Sequence, residues 1–135
     1  MVQVELSKII IDEKRQDQII VLKEKDGDRQ FPIVIDFLEA SSIKMKISGV
    51  EVPRPMTHDL LASVIEAFDA KLSAVIIDQM VNNTFHAKIE LEIKNGQKKT
   101  IDARPSDGIA LAVRMGAHIF VEDEVLKKTA IFKSN

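Results

Sequence analysis

Hydrophobic and polar positions change period several times along this chain, and each change marks an element. Val2, Val4 and Leu6 alternate with polar neighbours, after which Ile9 and Ile11 continue on the opposite parity. Period-two alternation belongs to a strand with one buried face, and the parity switch predicts a bulge or bend near Ser7-Lys8. Apolar-rich runs over 19–25 and 30–35 flank Asp26-Gly27, a hairpin signal because the turn needs positive φ. A three-stranded meander follows from these patterns.

The period then becomes helical. Asp36 can cap a helix beginning at Phe37, with Glu39 in its first turn and Gly49 as a stop. Val52-Pro53-Arg54-Pro55 is a stiff connector, and Leu60, Leu61, Val64, Ile65 and Phe68 predict one apolar face on a second helix over 58–68. Residues 74–77 read as a short strand. Over 84–94 the alternation is cleanest: Phe85, Ala87, Ile89, Leu91 and Ile93 should face the core with Leu61, Val64 and Phe68, leaving His86, Lys88 and Glu90 on the wet side. Asn95-Gly96 turns that strand into another over 98–103. A third helix over 106–115 stops at Gly116, and a strand over 119–121 precedes a last helical turn over 122–127. The predicted order is β-β-β-α-α-β-β-β-α-β-α. No linker interrupts it, so 1–135 reads as a single α+β domain with a mixed, largely antiparallel sheet and three main helices.

Composition removes several classes of function. The 135 residues contain no cysteine, which excludes disulfides, thiolate catalysis and zinc-thiolate sites. The N-terminus lacks a basic segment leading into an apolar core, and no apolar run approaches a membrane span, so a cytoplasmic protein is expected. The formal net charge is -2, with 19 basic and 21 acidic residues, and Trp and Tyr are absent. Such a chain offers no general cationic field and few stacking rings, which argues against a nucleic-acid-coating protein. It leaves room for a local basic cleft.

The candidate chemistry lies in two similar stretches. Arg54-Pro55-Met56-Thr57-His58-Asp59 and Arg104-Pro105-Ser106-Asp107 each place an Arg-Pro pair before a hydroxyl residue and an Asp at a helix start. Proline biases the preceding Arg toward extended backbone just outside the helix. A guanidinium, a hydroxyl, a carboxylate and free N–H groups then share a small volume. Such a grouping can bind phosphate or position a metal, or it can simply be a capped helix whose Asp pairs with the Arg. Thr57 and Ser106 are the expected caps. His58 is the one histidine beside a cluster; His86 reads as exposed, and His118 as partly buried and structural. Asp102, on the sheet face of Arg104, is a rim candidate. One cluster is expected rather than two.

Pro53-Arg54-Pro55-Met56-Thr57-His58-Asp59-Leu60-Leu61, combined with Asp102-Ala103-Arg104-Pro105-Ser106-Asp107, resembles the bifunctional nuclease domain family. The resemblance extends to Phe31-Pro32-Ile33, Glu39-Ala40, Thr84-Phe85-His86-Ala87 and Gly108-Ile109-Ala110-Leu111-Ala112, covering residues 2–131. It implies a dimer-forming α+β fold and degradation of DNA and RNA. Longer members carry a further segment, for which no room is expected here. Two positions depart from the family pattern: Asp36 stands where glycine is usual, and Gly108 where alanine is usual. Asp36 adds a carboxylate near Glu39, and Gly108 should loosen the third helix by somewhat under ~1 kcal/mol.

Two readings follow. In the first, the chain is a nuclease. Arg54 and Arg104 clamp phosphate, aided by Thr57 and Ser106, while Asp59, Asp107 and Glu39 hold Mg²⁺ or Mn²⁺. His58, Asp59, Asp107 and Glu39 are then the catalytic set, with His58 as general base or further ligand. In the second, a homodimeric binding module uses the same residues as structural pairs or as a small-anion site. The motive for a dimer, besides the resemblance, is the charge-poor runs Ile9-Ile10-Ile11 and Ala74-Val75-Ile76-Ile77, which could form open edges.

Overall fold

Pairing of the first strand slips where its alternation breaks. In the computed structural model, which describes residues 1–133, β1 (Val2–Ile10) runs antiparallel to β2 (Asp17–Glu24), with a register shift between Leu6 and Lys8. The bulge lets Val2, Val4 and Leu6 reach the core before it, and Ile9 and Ile11 after it. β3 (Arg29–Asp36) closes the meander. Asp36 then caps α1 (Phe37–Ile47). Its carboxylate accepts from the Glu39 N–H at 2.8 Å, and Glu39 Oε1 accepts from the Asp36 N–H at 3.2 Å, a reciprocal capping box. The departure at Asp36 therefore starts a helix.

After α2 (Thr57–Ala67), a second meander forms from β4 (Lys71–Val81), β5 (Thr84–Glu92) and β6 (Lys98–Ala103). β4 is longer than the apolar run over 74–77 predicted, because its outer residues pair with β5 along the whole hairpin. α3 (Pro105–Met115) stops at Gly116, whose φ of 69° is left-handed backbone. β7 (His118–Val121), α4 (Asp123–Leu126) and an unpredicted β8 (Phe132–Lys133) complete the chain. Residues 134–135 of the expected domain lie outside the described residues.

One sheet results, in the order β6-β5-β4-β7-β1-β2-β3-β8. All its pairings are antiparallel except that between β4 and β7, which joins the two meanders. Both strands expected to form open edges, β1 and β4, are interior, since β7 sits between them. α3 lies against β4, β5 and β7 and contacts both other long helices; α1 also packs on β2 and β3, whereas α2 meets the sheet chiefly at β4.

This arrangement corrects the expected face of α2. Ala62 and Ile65 are buried, while Leu60, Leu61, Val64 and Phe68 are exposed, Phe68 by 78%. Helical periodicity reports a stripe; it does not report what covers the stripe. The register of β5 is as expected, with Ala87 and Ile89 buried and Phe85 and Leu91 against the core. Its opposite face carries cross-strand charges, Lys88 to Asp102 at 3.1 Å and Lys98 to Glu90 at 3.2 Å. His86 is half-buried instead of exposed, and His118 is exposed, bonded to Gln3 at 3.0 Å.

Candidate functional site

The helix starts at α2 and α3 are built without hydroxyl caps. Pro105, with no N–H to satisfy, takes the first helical position and leaves Arg104 as the capping residue, on extended backbone (φ −73°, ψ 147°). Ser106 is therefore inside the helix and buried, donating to Glu39 Oε2 across from α1. At α2, Met56 is the capping residue and Thr57 the first helical one, exposed to solvent. Asp59, in the third position, reaches back to accept from the Met56 N–H at 2.9 Å.

α3 holds the start of α2 at two points. Asp107 Oδ1 lies 3.0 Å from His58 Nε2, and the Arg114 Nε donates to Asp59 Oδ1 at 2.7 Å. Asp107 and Arg114 are seven positions apart, two helical turns, and so share a face of α3. Adjacent residues of α2 are thus fixed by one face of α3. Sequence reasoning missed Arg114, although it is the one charge in the apolar run Ile109–Met115. Its side chain is only 5% exposed, and it also donates to the Ala110 carbonyl and to Ser42 Oγ of α1.

The second Arg-Pro pair makes the cluster. Arg104 engages Asp107 through Nε at 2.9 Å and a terminal nitrogen at 3.2 Å, and its other terminal nitrogen lies 3.4 Å from Glu39 Oε2. A guanidinium has five N–H donors. Two are spent on Asp107 and one terminal nitrogen lies toward Glu39, and the side chain is 66% exposed, which leaves N–H groups open to solvent. His58, Glu39, Arg104, Ser106 and Asp107 are together. Asp59 belongs to the neighbouring Arg114 cluster, Asp102 pairs with Lys88, and Arg54 is exposed with no ion pair among the described residues.

Both aspartates are held below the usual carboxylate range. For Asp59 the Met56 amide is the main cause, followed by the Arg114 guanidinium. For Asp107 burial pushes the carboxyl up, but hydrogen bonds from Arg104 and His58 together outweigh it. An ionised Asp107 can only accept, so the His58 Nε2–H is the donor of this pair.

The three carboxylates expected to bind a divalent ion do not fit one as arranged. Both oxygens of Asp107 face Arg104 and His58; those of Asp59 face Arg114 and the Met56 amide; those of Glu39 face the Asp36 amide, Ser106 and Arg104. Among the described residues no group of three or more His, Asp or Glu could hold a metal ion. A cation would have to displace a guanidinium.

Beside the cluster opens a cleft of about 550 Å³, lined by Ile33, Ile35, Phe85, Arg104 and Lys128 among others. Among the described residues, no helix is long and apolar enough to cross a membrane.

The chain is 35% identical over 131 residues to two proteins of Mycobacterium tuberculosis, from strains CDC 1551 / Oshkosh and H37Rv. Both are described as uncharacterized, and each match covers 97% of this chain and 77% of the relative. The bifunctional nuclease domain matches residues 20–134, a span that holds every residue of the His58–Asp107–Arg104–Glu39 cluster and both meanders apart from β1 and the start of β2. The chain belongs to the bifunctional nuclease domain family.

Proposed function

We propose that this protein hydrolyses phosphodiester bonds of DNA or RNA at the His58–Asp107–Arg104 cluster. The observation that carries this reading is a histidine oriented by an ionised carboxylate, beside a guanidinium with donors to spare. His58 Nδ1 takes a proton from water as its oxygen attacks phosphorus, and Arg104 offsets the charge that builds on the phosphoryl oxygens. Cleavage leaves one phosphomonoester and one alcohol, the latter protonated from solvent. Asp107 stabilises the imidazolium that forms. Glu39 positions Arg104, and Ser106 positions Glu39. No step passes through Mg²⁺ or Mn²⁺, since the carboxylates present do not make a site for either.

A nuclease assay on chelator-stripped protein tests the proposal, with Mg²⁺, Mn²⁺ or Ca²⁺ added back in separate arms. Cleavage that survives stripping, and falls at least ~100-fold in His58→Gln and in Asp107→Ala, supports it. Equal cleavage by wild type and Asp107→Ala, or none in any arm, overturns it. Strict dependence on Mg²⁺ or Mn²⁺ would return Asp107 and Glu39 to metal ligation and remove His58 from the role of sole activator.

One observation favours a non-catalytic anion-binding module instead: the cluster is already neutralised by its own partners. That reading expects anion binding at Arg104 without turnover. In either case we propose a homodimer formed through the apolar stripe of α2, as its four exposed side chains have no cover within the protomer.

A further inference from the structure

The cleft beside Arg104 has a lining that phosphate alone does not call for. Ile33, Ile35, Met80 and Phe85 contribute apolar surface, while Asn83 and Thr84 supply amide and hydroxyl groups at its rim. Arg104 and Lys128 are its cations, and Glu39, beside Arg104, is its carboxylate. Its volume of about 550 Å³ falls within the range of sites that enclose a small molecule, roughly 300–1,000 Å³. Phe85 is held by its tilted contact with buried Phe31, ring centroids 6.0 Å apart, so the ring presents a fixed surface.

From this juxtaposition we infer that the cleft takes one unpaired nucleobase, and that the substrate class is single-stranded nucleic acid. The inference rests on the nuclease reading for its substrate, and it adds where the base goes. A phosphate on the free donors of Arg104 leaves the attached nucleoside over the apolar wall, with Asn83 and Thr84 within the same cleft to meet base-edge donors and acceptors. A duplex cannot lay a base face on this surface while its bases stay stacked and paired, since it presents only phosphates, sugars and base edges. Duplex DNA carries one charge per ~1.7 Å of axis. This chain answers with a net charge of -2. A single strand can splay a base out and stack it on an aromatic ring.

Calorimetric binding of three probes tests the inference: inorganic phosphate, ribose 5-phosphate and adenosine 5′-monophosphate. The nucleotide should bind about tenfold more tightly than ribose 5-phosphate, the increment expected from stacking one base. Ala130→Phe, at an exposed position on the cleft wall, should abolish that difference and leave ribose 5-phosphate binding unchanged. Thr129→Trp, at the neighbouring half-buried position of the cleft, should do the same. Arg104→Gln should weaken all three probes. Equal affinity for nucleotide and ribose 5-phosphate, or a nucleotide advantage that both filling variants retain, overturns the inference. Cleavage of one sequence as single strand and as duplex separates the two proposals. A base-dependent gain without cleavage sinks the nuclease reading alone. Cleavage of the duplex as fast as the single strand, with no base-dependent gain, sinks the cleft alone.

Discussion

Asp59 and Asp107 occupy the same third position of two helices and acquire different neighbours, a difference that should be visible in titration. Each carboxyl is lowered on folding, by the Met56 amide and Arg114 at Asp59, and by Arg104 and His58 against the effect of burial at Asp107. A lowered carboxyl stabilises the native state above its unfolded value, and the contribution disappears as pH falls through the folded one. Denaturant unfolding should therefore give level stability above about pH 5 and a decline below about pH 4, with a shallower decline in Asp59→Asn. An acid limb that the substitution leaves unchanged would disprove the linkage. Arg114 makes the stronger demand. Arg114→Met leaves the Asp59 carboxylate facing a largely buried site without its cation, and should lower stability by on the order of 3 kcal/mol. Adding Asp59→Asn should recover part of this loss, and strict additivity of the two changes in unfolding measurements would refute the pairing.

At the scale of elements, Gly108 turns from a weakness into a fit. A Cβ built there would lie 2.6 Å from Val75 Cγ1 on β4, so the absence of a side chain lets α3 approach the sheet. Gly108→Ala should destabilise the protein by about 1–3 kcal/mol despite the better helix propensity of alanine. In the Val75→Ala background the same change should be neutral or favourable; an equal penalty in both backgrounds, by thermal unfolding, would rule out the close approach. Local signals made most elements legible: the bulge after Leu6, the turn at Asn95-Gly96, the Asp36 cap and the Gly116 stop all lie within a few residues of their cause, whereas the turn at Asp26-Gly27 forms without the positive φ expected of it. Readings that depended on distant neighbours fared worse. The stripe of α2 was legible but its direction was not, because α3 stands between α2 and most of the sheet. Thr57 and Ser106 were read as caps because their backbone geometry was unknown. The site was legible as residue types at two helix starts, and His58, Arg104, Ser106, Asp107 and Glu39 do meet. Arg54 makes no ion pair among the described residues, and Arg114 looked like an ordinary basic residue in a last turn until α2 was placed across from it.

The whole molecule leaves two strand edges and one apolar stripe for solvent or a partner. The edges are guarded: β6 begins Lys98-Lys99, and β8 is two residues long. The stripe of Leu60, Leu61, Val64 and Phe68 is not. Light scattering at micromolar concentration should give about twice the 15.1 kDa chain mass, and Leu60→Glu/Phe68→Glu should return it to the monomer with the fold intact. A wild-type mass near 15.1 kDa would end the dimer proposal. The parallel contact between β4 and β7 has a consequence for the order of events in folding. Each meander closes through neighbouring hairpins, but the strand that joins them, residues 118–121, must meet β1 from the far end of the chain. Glu39 belongs to the first meander's helix, while Arg104 and Asp107 follow the second. Non-local closure of this kind is slow to form and, once made, opens only with the whole sheet. Native-state hydrogen exchange should accordingly find the Ile119 and Val121 amides protected to the level of global unfolding; earlier exchange would show the halves separating on their own. During synthesis, therefore, the two meanders cannot be joined through the sheet until residues 118–121 have cleared the ribosome.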